Sequence, residues 1–437
     1  MFSFQNNDKL ALISKDFNLS FRELNLRVRD KSKELKTFSK TRIFALVAEN
    51  SIDFVINLLA AISLKPVALI SKQWTPSERQ LRLNTLKDYS LLNHEGLLEE
   101  KFNPDISIHP LTRLILFTSG SCGHPKAVLL SESNISSNTE AVLESLLFDK
   151  AERQHLHLPL SYSFGILGQL IPALSQGLTT YLYNDLMDLI GVFESDKPIG
   201  MLSAVPEQWT LLCEIAHKYP ESSQSVTHAI SAGSRLNLNL RHDMRQAFPN
   251  SYLFNNYGMT ECSPRVLSLS SCDPEFFSEA VGKPVKRISI SFTDDGVMQI
   301  QGPQVMISYA DSKICEGKLL SGDCGYIKDS YIFLSGRKDD LVKISGERIH
   351  CQEVGETLRS YKGVKESHVL AYKDHTYSER LAAFIVLNES KDKKDFLKFM
   401  KEKLSGNRRP SKTKFLDFLP LNANGKLNRQ ALLEMIS

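Results

Sequence analysis

The chain has 437 residues, of which 42% are hydrophobic and 24% are charged, and its formal net charge is +3. These values are typical of a folded globular protein and exclude a collagen-like or disordered chain. The near balance of charges gives no indication of a nucleic-acid partner. Seven cysteines without a C-x-x-C pair argue against structural zinc and a disulfide framework, so we expect a reducing, cytoplasmic location.

One uncharged stretch raises the question of a membrane span. Residues 154–184 contain no Asp, Glu, Lys or Arg. Proline and glycine interrupt this stretch, for example at Pro159, Gly168 and Pro172, whereas a spanning helix needs ~20 mostly apolar residues. The first residues of the chain also lack the pattern of a signal peptide. We therefore predict a buried wall or pocket lining and no membrane span.

Apolar runs of strand length alternate with helical patterns, which is typical of α/β architecture. In chain order, the patterns predict strands at 114–117 and 127–130, a helix over 133–147, a strand at 226–230, a helix over 237–248 and a strand at 252–254. Ser137 and Glu140 have capping-box spacing and are expected to support the first of these helices.

Residues 118–126, Thr-Ser-Gly-Ser-Cys-Gly-His-Pro-Lys, have the composition of an anion-binding loop. Small residues let the backbone approach an anion, hydroxyl groups donate hydrogen bonds, and Lys126 supplies charge. The segment is not a Walker P-loop, because Pro125 precedes the lysine, Ala127 follows it, and a predicted strand comes next instead of a helix. A plain Gly/Ser hairpin turn is the alternative interpretation.

In its context this segment resembles the phosphate loop of the adenylate-forming superfamily, which contains acyl-CoA synthetases, peptide-synthetase adenylation domains and luciferases. Four further regions are similar to the family in the same order: 231–235 (Ser-Ala-Gly-Ser-Arg), 255–261 (Asn-Asn-Tyr-Gly-Met-Thr-Glu), 321–323 with 336–349, and 419–429. Cys122 and Ala127 depart from the family loop. The resemblance is strong from Leu114 to Arg429 and weaker towards the amino terminus.

The resemblance implies a nucleotide site. In it Tyr257 would stack on adenine, Asp323 and Arg337 would contact the ribose, and Arg348 would lie near the phosphate. The complete set of implied nucleotide-binding residues is Thr118, Ser119, Gly120, Ser121, Gly123, Ser231, Ala232, Gly233, Tyr257, Asp323, Arg337 and Arg348. Taken alone, the Tyr257 region would be an ordinary turn.

The resemblance also implies catalytic roles for Lys126, Thr260, Glu261 and Lys426. Thr260 would contact the α-phosphate, and Glu261 would hold Mg²⁺, which prefers oxygen ligands. Lys426 would bridge the attacking carboxylate and the α-phosphate. Without the family, Glu261 would be a surface carboxylate and Lys426 a solvated turn lysine.

The family fold is α/β. It implies a large N-terminal domain of several subdomains, 1–336, with parallel-rich sheets sandwiched by helices, which binds ATP and the acid. A small mobile α+β lid, 337–437, would swing about a hinge near Asp339. Lys343 and Gly346 would then line the channel for the thiol acceptor. Because the phosphate loop begins already at Thr118, the chain is a short member of such a family.

The implied activity is that of an AMP-forming acid–thiol ligase. With ATP and Mg²⁺ it would convert a small carboxylic acid to an acyl-adenylate, release pyrophosphate, and pass the acyl group to coenzyme A or to a discrete phosphopantetheinylated carrier protein. The alternatives are a stand-alone amino-acid-activating enzyme that loads a carrier protein, and a catalytically silent AMP-binding homologue.

Residues 159–165, Pro-Leu-Ser-Tyr-Ser-Phe-Gly, lack the aspartate that pairs with the α-amine in amino-acid-activating members. This favours the acyl and aryl acid branch, whose pocket is apolar apart from the reacting carboxylate. Tyr162, Phe164, Gly165 and Gly233 are the predicted acid-pocket residues, with core packing as the alternative role.

Charge is concentrated near the carboxy terminus. Residues 391–414 contain ten basic and three acidic residues, a net charge of +7, which leaves −4 for the rest of the chain. Phe396, Phe399, Met400 and Leu404 have helical spacing, so one face packs and the other is basic. This face is either a solvated surface or a dock for coenzyme A phosphates or an acidic carrier protein.

Overall fold

The computed structural model describes residues 4–37, 40–93, 96–103, 108–119, 125–195, 198–338, 341–344, 347–373, 379–388, 393–404, 406–421 and 427–436. At positions 119, 341, 343, 347, 348 and 350 only the backbone is described. Contacts divide the chain into two compact units. The first comprises Met1–Ile290 with Ile300–Leu319, and the second Ser291–Gln299 with Leu320–Ser437.

The helices of the described residues vary in length, and several begin at a side-chain N-cap, such as Ser20, Ser51 or Thr75. They are α1 (Phe21–Leu35), α2 (Ile52–Ile62), α3 (Pro76–Leu86), α4 (Glu132–Ser145), α5 (Ser163–Gly165), α6 (Ile171–Gln176), α7 (Leu186–Phe193), α8 (Pro206–Lys218), α9 (Pro220–Gln224), α10 (Leu238–Ala247), α11 (Cys351–Arg359), α12 (Lys393–Lys403) and α13 (Arg429–Glu434).

The strands are mostly short and apolar. They are β1 (Leu10–Ile13), β2 (Asn18–Ser20), β3 (Phe44–Ala48), β4 (Val67–Ser71), β5 (Tyr89–Leu92), β6 (Leu97–Lys101), β7 (Thr112–Ser119), β8 (Pro125–Ser131), β9 (Arg153–Leu156), β10 (Thr179–Leu182), β11 (Gly200–Ala204), β12 (Val226–Ser231), β13 (Tyr252–Gly258), β14 (Arg265–Ser270), β15 (Lys283–Pro284), β16 (Ser289–Phe292), β17 (Val297–Gln301), β18 (Ser308–Tyr309), β19 (Lys318–Lys328), β20 (Tyr331–Arg337), β21 (Leu341–Ile344), β22 (Glu347–His350), β23 (Val364–Tyr372), β24 (Arg380–Leu387) and β25 (Lys412–Leu416).

In the first unit, the described strands form a sheet in the order β15-β14-β13-β12-β11-β9-β10-β1-β2. The strands from β1 to β13 in this order run parallel, and β14 joins β13 antiparallel. Because parallel strands end at one edge, the loops after β9, β11, β12 and β13 lie along the same edge. This edge carries the predicted site segments 159–165, 231–235 and 257–261.

A second sheet of the first unit has the order β18-β8-β7-β4-β3-β5-β6. Its centre is parallel, while β7 and β8 form an antiparallel hairpin with β18 added beside β8. A large apolar cluster joins helices to strands of both sheets, including Phe21 of α1, Phe54 of α2, Leu116 of β7, Leu156 of β9 and Ile171 of α6. This core fixes the strand edges that carry the site.

The second unit contains three smaller sheets within the described residues. Their orders are β16-β17-β19-β20, β21-β22 and β23-β24-β25. An apolar cluster packs α11 and α12 on the last of these sheets, with Val354, Ile385, Phe396 and Met400 among its members. The predicted packing face of α12 is therefore confirmed, and Lys398 and Lys401 on the same helix are exposed. The domain boundary at residue 336 and the mobility of the lid remain predictions.

Most of the predicted elements are present, but one capping prediction is wrong. The helix predicted over 133–147 is α4, and its N-cap is Ser131, which forms a reciprocal capping box with Asn134. Ser137 and Glu140 lie inside the helix instead. The reason is that β8 runs directly into α4, so the chain turns at the last strand residue.

The uncharged stretch is buried, as predicted. After β9 the chain forms α5, a π-helical turn over Ile166–Leu170, and α6, all in or near the core. Among the described residues, no helix combines the length and apolarity needed to cross a bilayer.

Candidate active site

The β7–β8 hairpin presents the described ends of the predicted phosphate loop. In its antiparallel register, Thr118 lies opposite Lys126 and Ser119 opposite Pro125. Lys126 is exposed and lies on a strand, in agreement with the rejection of a Walker loop. The predicted Gly120, Ser121 and Gly123 lie outside the described residues. The hairpin thus places a hydroxyl residue and an ammonium side by side at the loop's base.

A tyrosine that the sequence analysis missed connects two of the predicted catalytic residues. The ammonium of Lys126 lies 4.8 Å from the ring centroid of Tyr309, a residue of β18. The Tyr309 hydroxyl donates a hydrogen bond of 3.0 Å to Oε1 of Glu261. Burial, together with the charge of Glu261, raises the pKa of Tyr309, so the hydroxyl stays protonated and remains a donor.

The loop after β13 holds Thr260 and Glu261 in a fixed conformation. Gly258 packs so tightly that a Cβ there would lie 2.0 Å from the carbonyl oxygen of Pro264. The amide of Met259 donates to that same oxygen at 2.8 Å, which closes the loop. The carboxylate residue Glu261 is only 8% exposed, so it is not the surface carboxylate that its sequence context alone would suggest.

The structure tests whether Glu261 is suited to Mg²⁺. Its buried carboxylate is oriented by Tyr309 through one oxygen, which is the outer support that metal-binding carboxylates commonly have. In the described part of the chain, no group of three or more His, Cys, Asp or Glu side chains could hold a metal. Glu261 therefore fits a magnesium ion that takes one or two carboxylates and completes its sphere with phosphate and water.

Thr260 is linked to the segment after β9. Its hydroxyl shares a 3.0 Å hydrogen bond with the hydroxyl of Ser163, the first residue of α5. Ser163 was not predicted, because its partner lies 97 residues away along the chain. This hydrogen bond connects Thr260, which is predicted to contact the α-phosphate, with the segment that contains the predicted acid-pocket residues.

The loop after β12 lies beside the loop after β13. Ser231 is fully buried at the end of β12, and its carbonyl accepts a weak hydrogen bond from Nδ2 of Asn256 at 3.4 Å. Gly233 adopts φ +97°, a conformation that favours glycine, and is exposed with Ala232 buried just before it. The predicted 231–233 segment and Tyr257 thus belong to neighbouring strand ends.

The predicted acid-pocket residues have different surroundings. The hydroxyl of Tyr162 accepts a hydrogen bond from Nε1 of the buried Trp74 at 3.2 Å, and its ring is half-buried. A Cβ at Gly165 would lie 2.5 Å from the carbonyl oxygen of Pro159, so close backbone packing accounts for this glycine. The ring of Phe164 lies beneath the guanidinium of Arg265, 5.5 Å from the centroid.

Asp323 and Arg337 lie in the second unit. They pair across β19 and β20, and Nη1 of Arg337 lies 3.4 Å from Oδ1 of Asp323. The aspartate side chain is 15% exposed and that of the arginine 47% exposed. The predicted ribose contacts are therefore adjacent to one another.

Several predicted residues cannot be placed. Lys426, the hinge residue Asp339 and Gly346 lie outside the described residues. The backbone of β21 and β22 pairs Lys343 with Arg348, but their side chains, like that of Ser119, are not described. Their roles remain predictions.

Two family models match the chain. The model of the AMP-binding enzyme matches residues 111–310, which contain the hairpin, Glu261 and Tyr309, and the model of the AMP-binding enzyme C-terminal domain matches residues 353–426. Together they cover most of the region in which the motifs were found. The chain belongs to the AMP-binding enzyme family.

The similar proteins have defined activities. The 2-succinylbenzoate–CoA ligases of Bacillus subtilis and Lactococcus lactis are each 26% identical to this chain, over 97% and 94% of it and 95% of each relative. A solved structure of the B. subtilis o-succinylbenzoate CoA synthetase with its acyl-adenylate intermediate has a TM-score of 0.82 at 23% identity and covers 97% of this chain and 95% of its own. ATP-bound MatB from Rhodopseudomonas palustris has a TM-score of 0.84 at 20% identity, with 99% and 97% covered.

These comparisons confirm the predicted family, the α/β fold with a large N-terminal and a small C-terminal part, and the class of AMP-forming acid–thiol ligase. The predicted cofactors, ATP and Mg²⁺, agree with a B. subtilis synthetase structure that was solved with ATP and a magnesium ion. The residue-by-residue roles remain proposals.

Proposed function

We propose that this enzyme activates an aryl-substituted carboxylic acid with ATP and transfers the acyl group to coenzyme A, and that 2-succinylbenzoate is the first acid to test. The observation that carries this proposal is the contact series Lys126–Tyr309–Glu261, which brings a cation and a carboxylate to one edge of the first unit. The names of the relatives support the choice of acid and acceptor.

The first half-reaction requires two anions to meet. The carboxylate oxygen of the acid attacks the α-phosphorus of ATP, and pyrophosphate leaves. Positive charge and alignment lower this barrier. In this proposal Lys126 would neutralise the outer phosphates, Thr260 would donate its hydroxyl to an α-phosphate oxygen, and Lys426 would bridge both reactants. Magnesium, held by Glu261, would supply further charge neutralisation at the phosphates.

The rest of the nucleotide has its own proposed contacts. Tyr257 stacks on adenine beside the 231–233 segment. Asp323 and Arg337, which form an ion pair with each other, contact the ribose. The hydrogen-bonded ion pair orients the aspartate side chain, which supports this role.

The second half-reaction is attack of a thiolate on the acyl-adenylate, with AMP as the leaving group. We propose that residues 337–437 rotate about Asp339 between the two steps, which brings Lys343 and Gly346 to the acceptor channel. Asp339→Pro should then slow thioester formation far more than adenylation, while equal losses in both steps would contradict a hinge at this position.

Coenzyme A is the proposed acceptor, with an acidic carrier protein as the competing one. The exposed lysines of α12 suit the phosphates of coenzyme A. Replacing Lys401 and Lys403 with Glu should raise the KM for the acceptor. An unchanged KM would indicate a simply solvated face. A cytoplasmic location without a nucleic-acid partner is also proposed, from composition alone.

The decisive experiment is pyrophosphate release with 2-succinylbenzoate and a panel of aryl, aliphatic and amino acids, with coenzyme A or carrier protein as acceptor. Lys126→Met should reduce adenylation strongly. Lys150→Met is the matched control, because its ammonium also lies over a tyrosine ring, 5.0 Å from the centroid of Tyr252. Tyr252 begins β13, whereas the loop with Thr260 and Glu261 follows the other end of that strand. Release of pyrophosphate by no acid, or equal effects of the two variants, would refute the proposal.

A further inference from the structure

Arg265, the first residue of β14, is a buried cation that forms no ion pair with any acidic side chain of the described residues. Its side chain ranks among the largest fully buried ones, with 1% of the residue exposed. Within the described residues, neither Nε nor Nη2 has a hydrogen-bond acceptor, although both nitrogens are fully enclosed. The backbone amide, by contrast, donates to Oδ1 of Asn138 at 3.0 Å.

A second buried arginine shows what a structural role looks like in this fold. Arg241 of α10 is 3% exposed, yet its guanidinium donates to four backbone carbonyl groups, those of Leu236, Phe276, Ser278 and Ala280. These bonds tie the helix to the residue before its cap and to residues 276–280, which follow β14. Among the described residues, the guanidinium of Arg265 has no such set of acceptors, so a structural clamp does not explain it.

The physical cost of this arrangement points to a missing partner. A buried charge is strongly unfavourable unless an opposite charge and hydrogen bonds compensate it. Burial lowers the pKa of Arg265 to about 9, and the group is still mostly charged at neutral pH. The ring of Phe164, 5.5 Å away, offers a cation–π contact that compensates only part of the desolvation.

The position of Arg265 links it to the acid. It begins β14 just after the loop that carries Thr260 and Glu261, and it faces Phe164, a predicted acid-pocket residue. Gly168 of the π-helical turn packs close to both residues, since an added Cβ would lie 3.5 Å from Nη2 of Arg265 and 3.2 Å from the ring of Phe164.

Two further enclosed polar atoms lie on β13 and β14. Asn256 and Ser268 lie opposite each other on β13 and β14, so their side chains share one face of the sheet. In the described residues, Oδ1 of Asn256 and Oγ of Ser268 are likewise enclosed without a hydrogen-bond partner.

We propose that Arg265 binds a second anionic group of the acid substrate, and that it makes the enzyme selective for dicarboxylic over monocarboxylic acids. This inference rests on the proposed function, because it requires the acid to bind beside Phe164, a predicted acid-pocket residue. One carboxylate would react at the α-phosphorus, and the other would pair with the guanidinium. A fork-shaped donor suits a carboxylate because it can form two parallel hydrogen bonds.

The test is direct binding, measured by titration calorimetry with the full chain, Mg²⁺ and α,β-methylene-ATP, which blocks turnover. The probes are 2-succinylbenzoate and two analogues that each lack one carboxylate, 4-oxo-4-phenylbutanoate and 2-butyrylbenzoate. The unmodified enzyme should bind the dicarboxylate at least ~10-fold more tightly than either analogue. In Arg265→Met the preference over 4-oxo-4-phenylbutanoate should disappear, while the affinity for that analogue stays the same. Arg265→Lys should retain part of it.

Thermal unfolding separates binding from a structural role. Without ligand, Arg265→Met should unfold at the same temperature as the unmodified enzyme or higher, because it removes an uncompensated buried charge. Arg241→Met, the matched control, should unfold at a lower temperature, since it leaves carbonyl groups without donors.

The proposal would be overturned if the unmodified enzyme bound all three acids with equal affinity, or bound none of them. It would also be overturned if Arg265→Met were destabilised as much as Arg241→Met. Pyrophosphate release, measured in parallel, tests the proposed function separately. Tighter binding of the dicarboxylate without pyrophosphate release would support the role of Arg265 and refute the proposed substrate. Pyrophosphate release without tighter binding of the dicarboxylate would support the proposed function and refute the role of Arg265.

Discussion

Replacing Tyr309 with Phe should weaken adenylation by loosening Glu261. The change removes the hydroxyl that donates to Oε1 at 3.0 Å, but it keeps the ring that lies under Lys126. A hydrogen bond to a charged group contributes about 1.5–3 kcal/mol. Because Glu261 is 8% exposed and water can partly replace the hydroxyl, we expect the lower end, about a 10-fold loss of rate.

The assay is the initial rate of pyrophosphate release as a function of Mg²⁺ concentration. If Tyr309 orients a magnesium-binding carboxylate, part of the loss in Tyr309→Phe should be recovered at high Mg²⁺. Tyr252→Phe is the matched control, since it removes a hydroxyl bonded to Lys150 at the other end of β13. Since the pKa of Tyr309 is raised, its hydroxyl stays protonated up to pH 9, and the pH–rate profile of the unmodified enzyme should show no decrease from loss of this hydrogen bond.

A full rate in Tyr309→Phe would show that Tyr309 does not orient Glu261 for catalysis. The same would follow if Mg²⁺ did not alter the loss of rate and Tyr252→Phe showed an equal loss. Tyr309→Leu removes the ring as well as the hydroxyl. It should therefore be slower than Tyr309→Phe, because the cation–π contact with Lys126 contributes a further ~0.5–1 kcal/mol.

Four other variants test different parts of the molecule. Asp323→Asn should raise the KM for ATP about 10-fold with little change in thermal stability, because its ion pair is partly exposed; an unchanged KM would argue against ribose contact. His155 has a pKa lowered to about 3 by burial, so the unfolded chain binds a proton that the folded one does not, and stability falls as pH drops from 6.5 towards 3. His155→Phe should reduce that slope by up to about 1.4 kcal/mol per pH unit in chemical denaturation, and parallel curves would contradict this. Gly258→Ala should abolish adenylation and lower the unfolding temperature, whereas Gly191→Ala, whose Cβ meets no atom within 4 Å, should stabilise α7 by ~0.5–1 kcal/mol.

The sequence predicted those parts of the site that are local in the chain. Thr118 and Lys126 lie eight residues apart on one hairpin, and turn residues with flanking apolar runs were sufficient to place them. The strand that leads to Thr260 and Glu261 was found in the same way. The misplaced cap of α4 arose because β8 and α4 share a boundary at Ser131, where no polar linker separates them.

Contacts between distant segments could not be predicted. Tyr309 is 48 residues from Glu261, and Ser163 is 97 residues from Thr260. A single tyrosine after an apolar run gives no periodic signal, and its role follows only from the pairing of β18 with β8. The burial of Arg265 is equally invisible in sequence, since an arginine at a strand start is most simply solvated.

The hydrogen bond between Ser163 and Thr260 has a consequence for engineering. If residues 159–176 were exchanged for the equivalent segment of a relative to transplant its acid preference, the graft would also replace the partner of Thr260. A chimera that keeps serine at position 163 should retain its nucleotide chemistry, whereas one that loses it would change two properties at once. With the proposed roles of Thr260 and residues 159–165, substrate breadth and catalytic rate would be coupled through this hydroxyl pair, and swaps should be designed around it.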